Sequence, residues 1–109
     1  MAKPLVYIYC DGACFGNPGA GGWAALLAIP RSSITKAFSG GCDKTTNNQM
    51  ELTAAIEGLS NLKTECEVEL FSDSTYLCYT MARNRKRNAN HDLWQQLDRL
   101  ASIHQVTWT

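Results

Sequence analysis

The spacing of the apolar residues changes near position 45, and this change limits the folds that the chain can adopt. Before it stand three apolar runs, at residues 5–10, 23–29 and 34–42, with a Gly-Asn-Pro-Gly-Ala-Gly-Gly segment between the first two. Short runs rich in β-branched and aromatic residues, separated by turn residues, are typical of strands in an antiparallel meander. The first part of the chain therefore predicts three consecutive strands.

After position 45 the apolar residues recur at helical spacing. One stripe follows the cap-rich residues 45–48, and it consists of Leu52, Ala55, Ile56, Leu59 and Leu62. Residues 66–72 then alternate like a strand, Ser74 can cap a short helix to Met81, a second helical stripe covers 93–101, and 105–109 alternate again. The predicted order is β-β-β-α-β-α-α-β, which indicates an α/β domain with a mixed sheet of five strands flanked by helices.

Length and composition indicate one domain over residues 1–109. The chain has 45% apolar residues and no uncharged run near the roughly 20 residues that a bilayer requires. Residues 1–4 (Met-Ala-Lys-Pro) lack the apolar stretch of a signal peptide, so we expect a cytoplasmic location and no membrane partner. The five cysteines are odd in number and contain no C-x-x-C pair, which favours free thiols over a metal site.

The formal net charge is zero, but the charges are unevenly distributed. Residues 1–73 hold five basic and eight acidic side chains, whereas residues 74–109 hold five basic and two acidic ones. Four of the latter bases fall in one segment: Arg83, Arg85, Lys86 and Arg87. Such a segment is either a solvated loop or a local patch for a polyanion, and the charge pattern leaves both possibilities open.

Two aspartates end predicted strands at positions that the topology brings together. Asp11 closes the first strand and Asp73 closes the fourth. A helical crossover requires these strands to pair in parallel, so both carboxylates should emerge at the same edge of the sheet. Two neighbouring carboxylates repel each other unless a cation lies between them, and a hard divalent ion prefers such oxygen ligands.

Glu51 is a third candidate, and it has two interpretations. The segment Asn48-Gln49-Met50-Glu51 resembles a capping box, in which the glutamate would only cap its helix. The residues three, four and seven positions further on are Ala54, Ala55 and Gly58. Because this small-residue face can approach the sheet closely, it would also direct Glu51 toward the strand ends.

These motifs resemble those of the type 1 ribonucleases H. The resemblance rests on Tyr9-Cys10-Asp11-Gly12-Ala13-Cys14-Phe15-Gly16-Asn17-Pro18-Gly19, Thr45-Thr46-Asn47-Asn48-Gln49-Met50-Glu51-Leu52, Phe71-Ser72-Asp73-Ser74, Asp92-Leu93-Trp94-Gln95 and His104-Gln105-Val106-Thr107-Trp108. Together these segments extend over nearly the whole chain. The resemblance implies a ribonuclease H-like fold and an endonuclease that hydrolyses the RNA strand of RNA/DNA hybrids.

The resemblance also implies a metal site. Asp11, Glu51 and Asp73 match three members of the family's acidic quartet, which holds two Mg²⁺ ions, or Mn²⁺ in their place. The family leaves 5′-phosphate and 3′-hydroxyl ends. The chain ends at Thr109, whereas the family continues with a Lys-Gly-His loop, an Asn, a fourth metal-binding Asp and a closing helix. The expectation is therefore a domain that lacks this last loop and helix.

Substrate contacts follow from the same resemblance. The corresponding positions are Cys14, Asn17, Thr46, Asn47, Asn48 and Trp94. Thr75 stands where many bacterial members carry Gln, which would shorten or remove one groove contact. The basic residues would be a remnant of the family's basic protrusion that touches phosphates: Arg83, Arg85, Lys86 and Arg87. Asparagine and threonine are also the usual residues of turns and helix caps, so each of these positions has a structural alternative.

Three functions remain open at this point. The first is an active hybrid-specific nuclease, and the second is a hybrid-binding domain with an incomplete metal site and little turnover. The third is a protein-association fold that uses its last strand for edge pairing. The resemblance implies a monomer, with edge-strand pairing or strand exchange as the alternative.

Overall fold

Five strands and three helices follow one another in the predicted order. A computed structural model of the chain describes residues 3–83 and 85–109. The elements are β1 (Leu5–Cys14), β2 (Gly19–Ala28), β3 (Thr35–Thr45), α1 (Asn47–Ser60), β4 (Glu67–Phe71), α2 (Thr75–Arg83), α3 (His91–Ile103) and β5 (Gln105–Trp108). No helix in the described part of the chain combines the length and the apolar character needed to span a bilayer.

The strands form one mixed sheet in the order β3-β2-β1-β4-β5. β1, β2 and β3 are antiparallel, as expected for strands joined by short turns. β4 pairs with β1 in parallel after the α1 crossover, and β5 pairs with β4 in parallel after α2 and α3. The predicted α/β fold with a five-stranded mixed sheet flanked by helices is confirmed.

α1 packs on one face of the sheet through its small residues. Ala54 and Ala55 are fully buried, and a Cβ on Gly58 would lie 2.9 Å from Ile8 Cγ2 on β1. Alternate residues of the strands point into this interface, and the helices contribute further aliphatic side chains. The large aliphatic residues that are fully buried are Ile8, Leu52, Leu59, Val68, Leu70, Leu77 and Leu97. This close approach fixes the first turn of α1 next to the end of β1.

The opposite face of the sheet carries an aromatic cluster. Tyr9 stacks on Phe71 with 4.9 Å between the ring centroids, and Tyr7 meets the same ring edge-on at 5.7 Å. Tyr9 and Leu26 are 44% and 38% exposed, so this face is covered less than the face under α1. The cluster ties β1 to β4 next to Asp11 and Asp73.

β1 is longer than its apolar run predicts. The strand continues through Asp11 to Cys14, because β2 pairs with it as far as Cys14 and Gly21. The prediction that Asp11 closes the first strand is therefore wrong for the antiparallel side. The prediction holds for the pairing with β4, because the last parallel pair between β1 and β4 is Tyr9 with Phe71.

The start of α1 differs from the predicted capping box. Thr46 is the N-cap, and its hydroxyl oxygen accepts a hydrogen bond of 3.1 Å from the backbone N–H of Gln49. The third helical position is therefore occupied by Gln49 rather than by Glu51. Glu51 lies two residues further along the helix, so its carboxylate is not used as a cap.

Candidate active site

Asp11 and Asp73 lie at corresponding positions on neighbouring parallel strands. Each is two residues beyond the last paired residue, Tyr9 on β1 and Phe71 on β4. Both side chains are exposed, and both border a groove of about 520 Å³ that runs along the aromatic face of the sheet. The structure thus brings the two carboxylates to one edge of the sheet, as the sequence predicts.

Glu51 reaches this edge from the first turns of α1. Its Oε1 accepts a hydrogen bond of 3.3 Å from the backbone N–H of Gly12, and the same N–H donates to Asp11 Oδ1 at 3.0 Å. Its Oε2 accepts a bond of 3.3 Å from the hydroxyl of Ser72. Glu51 is therefore tied to β1 beside Asp11 and to the end of β4 beside Asp73.

The electrostatics of Glu51 reflect its crowded position. Burial raises the pKa of this carboxyl, and the neighbouring charge of Asp11 raises the pKa further. Hydrogen bonds from Gly12 and Ser72 act in the opposite direction, and Asp73 adds a smaller repulsion. Negative charge at this point is consequently unfavourable without a cation, which is the condition that a divalent ion relieves.

The acidic side chains do not form a closed cage. Among residues 3–83 and 85–109, no three His, Cys, Asp or Glu side chains are close enough to hold one ion by themselves. The donors available at this edge are hard carboxylate oxygens on rigid elements. Such a donor set fits Mg²⁺ or Mn²⁺, because Mg²⁺ is commonly bound through one or two carboxylates with water and phosphate completing its shell.

Three of the predicted substrate residues are linked where the β1–β2 turn meets α1. The backbone N–H of Cys14 donates to Asn47 Oδ1 at 2.8 Å, and the backbone N–H of Asn47 donates to Asn17 Oδ1 at 3.1 Å. The thiol of Cys14 is directed to the carbonyl of Gly16. These bonds hold the turn against the helix start, and they leave the amide NH₂ groups of both asparagines available to a ligand.

Asn48 and Thr75 line a separate polar groove of about 420 Å³, beyond the helix cap Thr46. The same groove is bordered by Arg85 and Lys86 of the basic segment. Asn48 and Thr75 are exposed, whereas the hydroxyl oxygen of Thr46 is engaged in capping α1. The structure therefore places part of the basic segment next to two of the predicted substrate residues.

The four bases of the basic segment have different environments. The guanidinium groups of Arg83 and Arg85 lie 4.3 and 5.0 Å from the ring centroid of Tyr79. Arg87 forms a two-point ion pair with Asp98, at 2.5 and 3.0 Å, and its guanidinium covers the Trp94 ring. Arg87 therefore differs from the other three bases, because its guanidinium is already paired with a carboxylate.

The prediction that Trp94 contacts substrate is wrong. Its side chain is 1% exposed and belongs to the hydrophobic core. Its indole N–H donates to the hydroxyl of Tyr76 at 3.1 Å, and the side-chain amide of Asn90 donates to the same hydroxyl at 3.1 Å. The Asp-Leu-Trp motif therefore anchors α3 rather than forming a ligand surface.

Several residues of this region were missed in the sequence. Ser72 orients Glu51, Gly12 supplies the shared N–H, and Gln49 Nε2 donates to Asn90 Oδ1 at 3.3 Å, which connects α1 to the start of α3. The role of Gly12 could have been predicted from the sequence, because a glycine directly after a carboxylate at a strand end indicates that another backbone segment approaches closely. Indeed, a Cβ at this position would lie 2.4 Å from the carbonyl carbon of Met50.

Comparison with known proteins identifies relatives over most of the chain. Residues 3–109 match the family model described as RNase H. A ribonuclease H of Legionella pneumophila is 49% identical over 94% of this chain and 80% of its own length. A ribonuclease H of Neisseria gonorrhoeae is 49% identical over 95% of this chain and 79% of its own length.

Solved structures give the same result. The N-terminal RNase H domain of a Mycobacterium tuberculosis protein, solved as a fusion with maltose-binding protein, superposes with a TM-score of 0.89 at 25% identity. That match covers 98% of this chain and 81% of the solved chain. A type 1 RNase H described as having the type 2 active-site motif, LC9-RNase H1, superposes with a TM-score of 0.81 at 30% identity, covering 99% of this chain and 63% of the solved one.

Proposed function

The chain belongs to the RNase H family as a type 1 member, and from this premise we propose that it hydrolyses the RNA strand of RNA/DNA hybrids with two divalent metal ions. The products of this reaction would carry 5′-phosphate and 3′-hydroxyl ends. The cytoplasmic location, the monomeric state and the single domain over residues 1–109 stay predictions.

One observation carries the proposal: a single backbone N–H, that of Gly12, is shared by the carboxylates of Asp11 and Glu51. The arrangement holds two negative groups side by side on different elements, with Asp73 two residues beyond the end of β4. A fold has no reason of stability to collect carboxylates in this way, because their mutual repulsion raises the pKa of Glu51 in addition to the effect of burial.

Asp11, Glu51 and Asp73 would hold the metal ions. When bound, a pair of divalent ions activates the attacking water and stabilises the leaving oxygen in phosphodiester hydrolysis. The protein's own contribution is positional: Gly12 and Ser72 restrain both oxygens of Glu51, and the strand ends restrain the two aspartates. This arrangement keeps the charged groups in place before the substrate arrives, so little reorganisation is needed during the reaction.

Recognition of the hybrid would fall to the polar residues around the helix start. The free amide groups of Asn17 and Asn47 provide donors of the kind that contact sugar and base edges in a minor groove, where 2′-hydroxyl groups mark an RNA strand. Asn48 and Thr75 extend the polar surface toward Arg85 and Lys86. The basic groups would then contact phosphates without reading sequence.

The first test is cleavage of a labelled RNA/DNA hybrid in the presence of Mg²⁺ or Mn²⁺, with EDTA as the metal-free comparison. We expect Asp11→Asn, Glu51→Gln and Asp73→Asn each to reduce the cleavage rate by at least about 100-fold. Loss of a residue that only supports a metal ligand reduces activity by up to about 100-fold, and loss of a ligand itself should cost at least as much. Extension of the RNA fragments by a polymerase, without phosphatase treatment, tests for the proposed 3′-hydroxyl ends.

Glu57→Gln is the matched control, because Glu57 lies on the same helix without a hydrogen bond to the site in the described structure. It should cleave at the wild-type rate. Binding of the hybrid without cleavage by the wild-type chain would instead support a hybrid-binding domain with an incomplete site. If the chain neither binds nor cleaves the hybrid, both hybrid functions are refuted.

The second test concerns the basic segment. The logarithm of the hybrid-binding constant falls linearly with the logarithm of the salt concentration, more steeply when more phosphates are contacted. Alanine substitution of a residue that contacts a phosphate should make this slope shallower by about one, and we expect this for Arg83, Arg85 and Lys86. Arg87→Ala should leave the slope unchanged, because Asp98 already neutralises this guanidinium. Equal effects of all four substitutions would contradict the distinction that the structure makes between them.

A further inference from the structure

Phe15 is an apolar residue that the fold itself does not use. It lies at the tip of the β1–β2 turn, and its side chain is 88% exposed, the highest value among the large hydrophobic residues that stand out on the surface. An aromatic side chain left in water gives no stability to the fold. The ring is therefore available to contact a partner outside the chain.

The turn that carries Phe15 is held rigidly. The backbone N–H of Phe15 donates to the carbonyl of Ala20 at 2.7 Å, and the Cys14 thiol is directed to the carbonyl of Gly16. Gly16 has a φ of +69°, and a Cβ on Gly19 would overlap the carbonyl oxygen of Phe15. The ring is thus presented by a fixed backbone rather than by a mobile loop, which reduces the entropy lost on binding.

The surroundings of Phe15 indicate which partner it meets. Cys14 precedes it and is bonded through its N–H to Asn47, while Asn17, two residues later, accepts the N–H of Asn47. Phe15 also borders an apolar surface that includes Ala13, Ala20 and Gly22. Phe15 thus lies in the chain between Cys14 and Asn17, the two residues whose hydrogen bonds to Asn47 gather the amide groups assigned to the minor groove under the proposed function.

We propose that Phe15 is a specificity-determining contact, whose ring lies against the sugars of a wide minor groove and is excluded from a narrow one. A-form-like duplexes have a wide and shallow minor groove. The minor groove of B-DNA is only about 6 Å wide, so the ring would reach the sugars of this groove less readily. Phe15 would thus favour RNA-containing duplexes over DNA duplexes by shape, independently of hydrogen bonds to the 2′-hydroxyl group.

This inference rests on the proposed function, and its test measures binding rather than cleavage. In an Asp11→Asn background, which keeps the RNA intact, the affinity for a labelled RNA/DNA hybrid is compared with that for the DNA duplex of the same sequence. We expect Phe15→Ala to weaken hybrid binding by about fivefold, equivalent to about 1 kcal/mol, and not to weaken DNA binding. Phe15→Leu should retain most of the hybrid affinity.

Ile34→Ala is the matched control. Ile34 is 54% exposed and lies on the β2–β3 turn, at the end of the sheet opposite to Phe15. Its substitution should change neither affinity, and the urea midpoint should be the same for both alanine variants.

An effect of Phe15→Ala on the hybrid no larger than that of Ile34→Ala would overturn the inference while leaving the proposed function intact. Equal weakening of both duplexes would overturn the assigned selectivity. Failure of the Asp11→Asn chain to bind any hybrid would overturn the inference together with the proposed function.

Discussion

The hydroxyl of Tyr76 is the point where α2 and α3 are joined, and replacing it by hydrogen gives a sharp test of the structure. In Tyr76→Phe the ring stays, including its contact with Trp94 at 5.3 Å between centroids. Two hydrogen bonds of 3.1 Å are lost, one from the indole N–H of Trp94 and one from the side-chain amide of Asn90. The substitution thus isolates the polar link from the apolar packing.

The loss of stability in Tyr76→Phe follows from the burial of the two hydrogen-bond donors. Trp94 is 1% exposed, so its indole N–H cannot turn to water, and an unsatisfied buried donor costs about 1–3 kcal/mol. Asn90 is half-buried, so its amide regains part of its hydration and adds less. We expect the free energy of unfolding to fall by about 2 kcal/mol, which lowers the urea midpoint by about 1 M at a typical slope.

Equilibrium urea unfolding measures this change, with Tyr79→Phe as the control. Tyr79 is exposed at 36% and its hydroxyl has no partner among the hydrogen bonds of the described residues, so its loss should cost less than about 0.5 kcal/mol. The indole N–H of Trp94 should also exchange faster with solvent in Tyr76→Phe. Equal midpoints for the two variants would refute the idea that this hydroxyl satisfies a buried donor.

Three further predictions concern the free energy of unfolding. Thr46→Ala should lower the free energy of unfolding by about 1 kcal/mol, because it removes the hydroxyl that caps α1. Thr46→Ser keeps a capping hydroxyl and should retain most of this stability. Urea unfolding of both variants shows whether the hydroxyl or the methyl group of Thr46 is responsible. Gly12→Ala should cost about 1–3 kcal/mol by the same measurement, because the added Cβ meets the backbone of Glu51 at 2.6 Å and the helix must shift; a stable variant would contradict the close approach. Burial lowers the pKa of His104, whose Nδ1 accepts the N–H of Cys66 at 3.0 Å, so its neutral form is favoured in the folded chain. Stability should therefore be fully present above the ordinary histidine pKa of about 6.5 and decline as the pH falls through the lower folded value, and a His104→Gln variant should show a smaller decline.

The fold and the two aspartates could be predicted from the sequence because they depend on local periodicity. The change of apolar spacing near position 45 separates the antiparallel strands from the helical crossover, and the crossover forces β1 and β4 into parallel pairing. Asp11 and Asp73 then fall at one edge by topology alone. The length of β1 was missed because its last residues, Gly12 to Cys14, are paired through the backbone and have no apolar pattern.

The remaining differences come from interactions between residues far apart in the chain. Trp94 stands on the apolar stripe of α3, yet its motif suggested a ligand contact, and only the packed structure shows that its indole N–H is satisfied by Tyr76. Arg87 lies among three other bases in the sequence, but in the structure it is paired with Asp98 of α3. Burial and pairing of this kind are decided by tertiary contacts, which charge and spacing in the sequence do not specify.

The parallel pairing of β1 with β4 has a consequence for the chain during its synthesis. The first three strands pair with near neighbours, so they can form hairpins as soon as they emerge. Asp73 follows Asp11 by 62 residues, a delay of about 3–12 s at about 5–20 residues per second on the ribosome. A nascent chain therefore carries Asp11 for seconds before Asp73, its neighbour at the same edge of the folded sheet, has been translated.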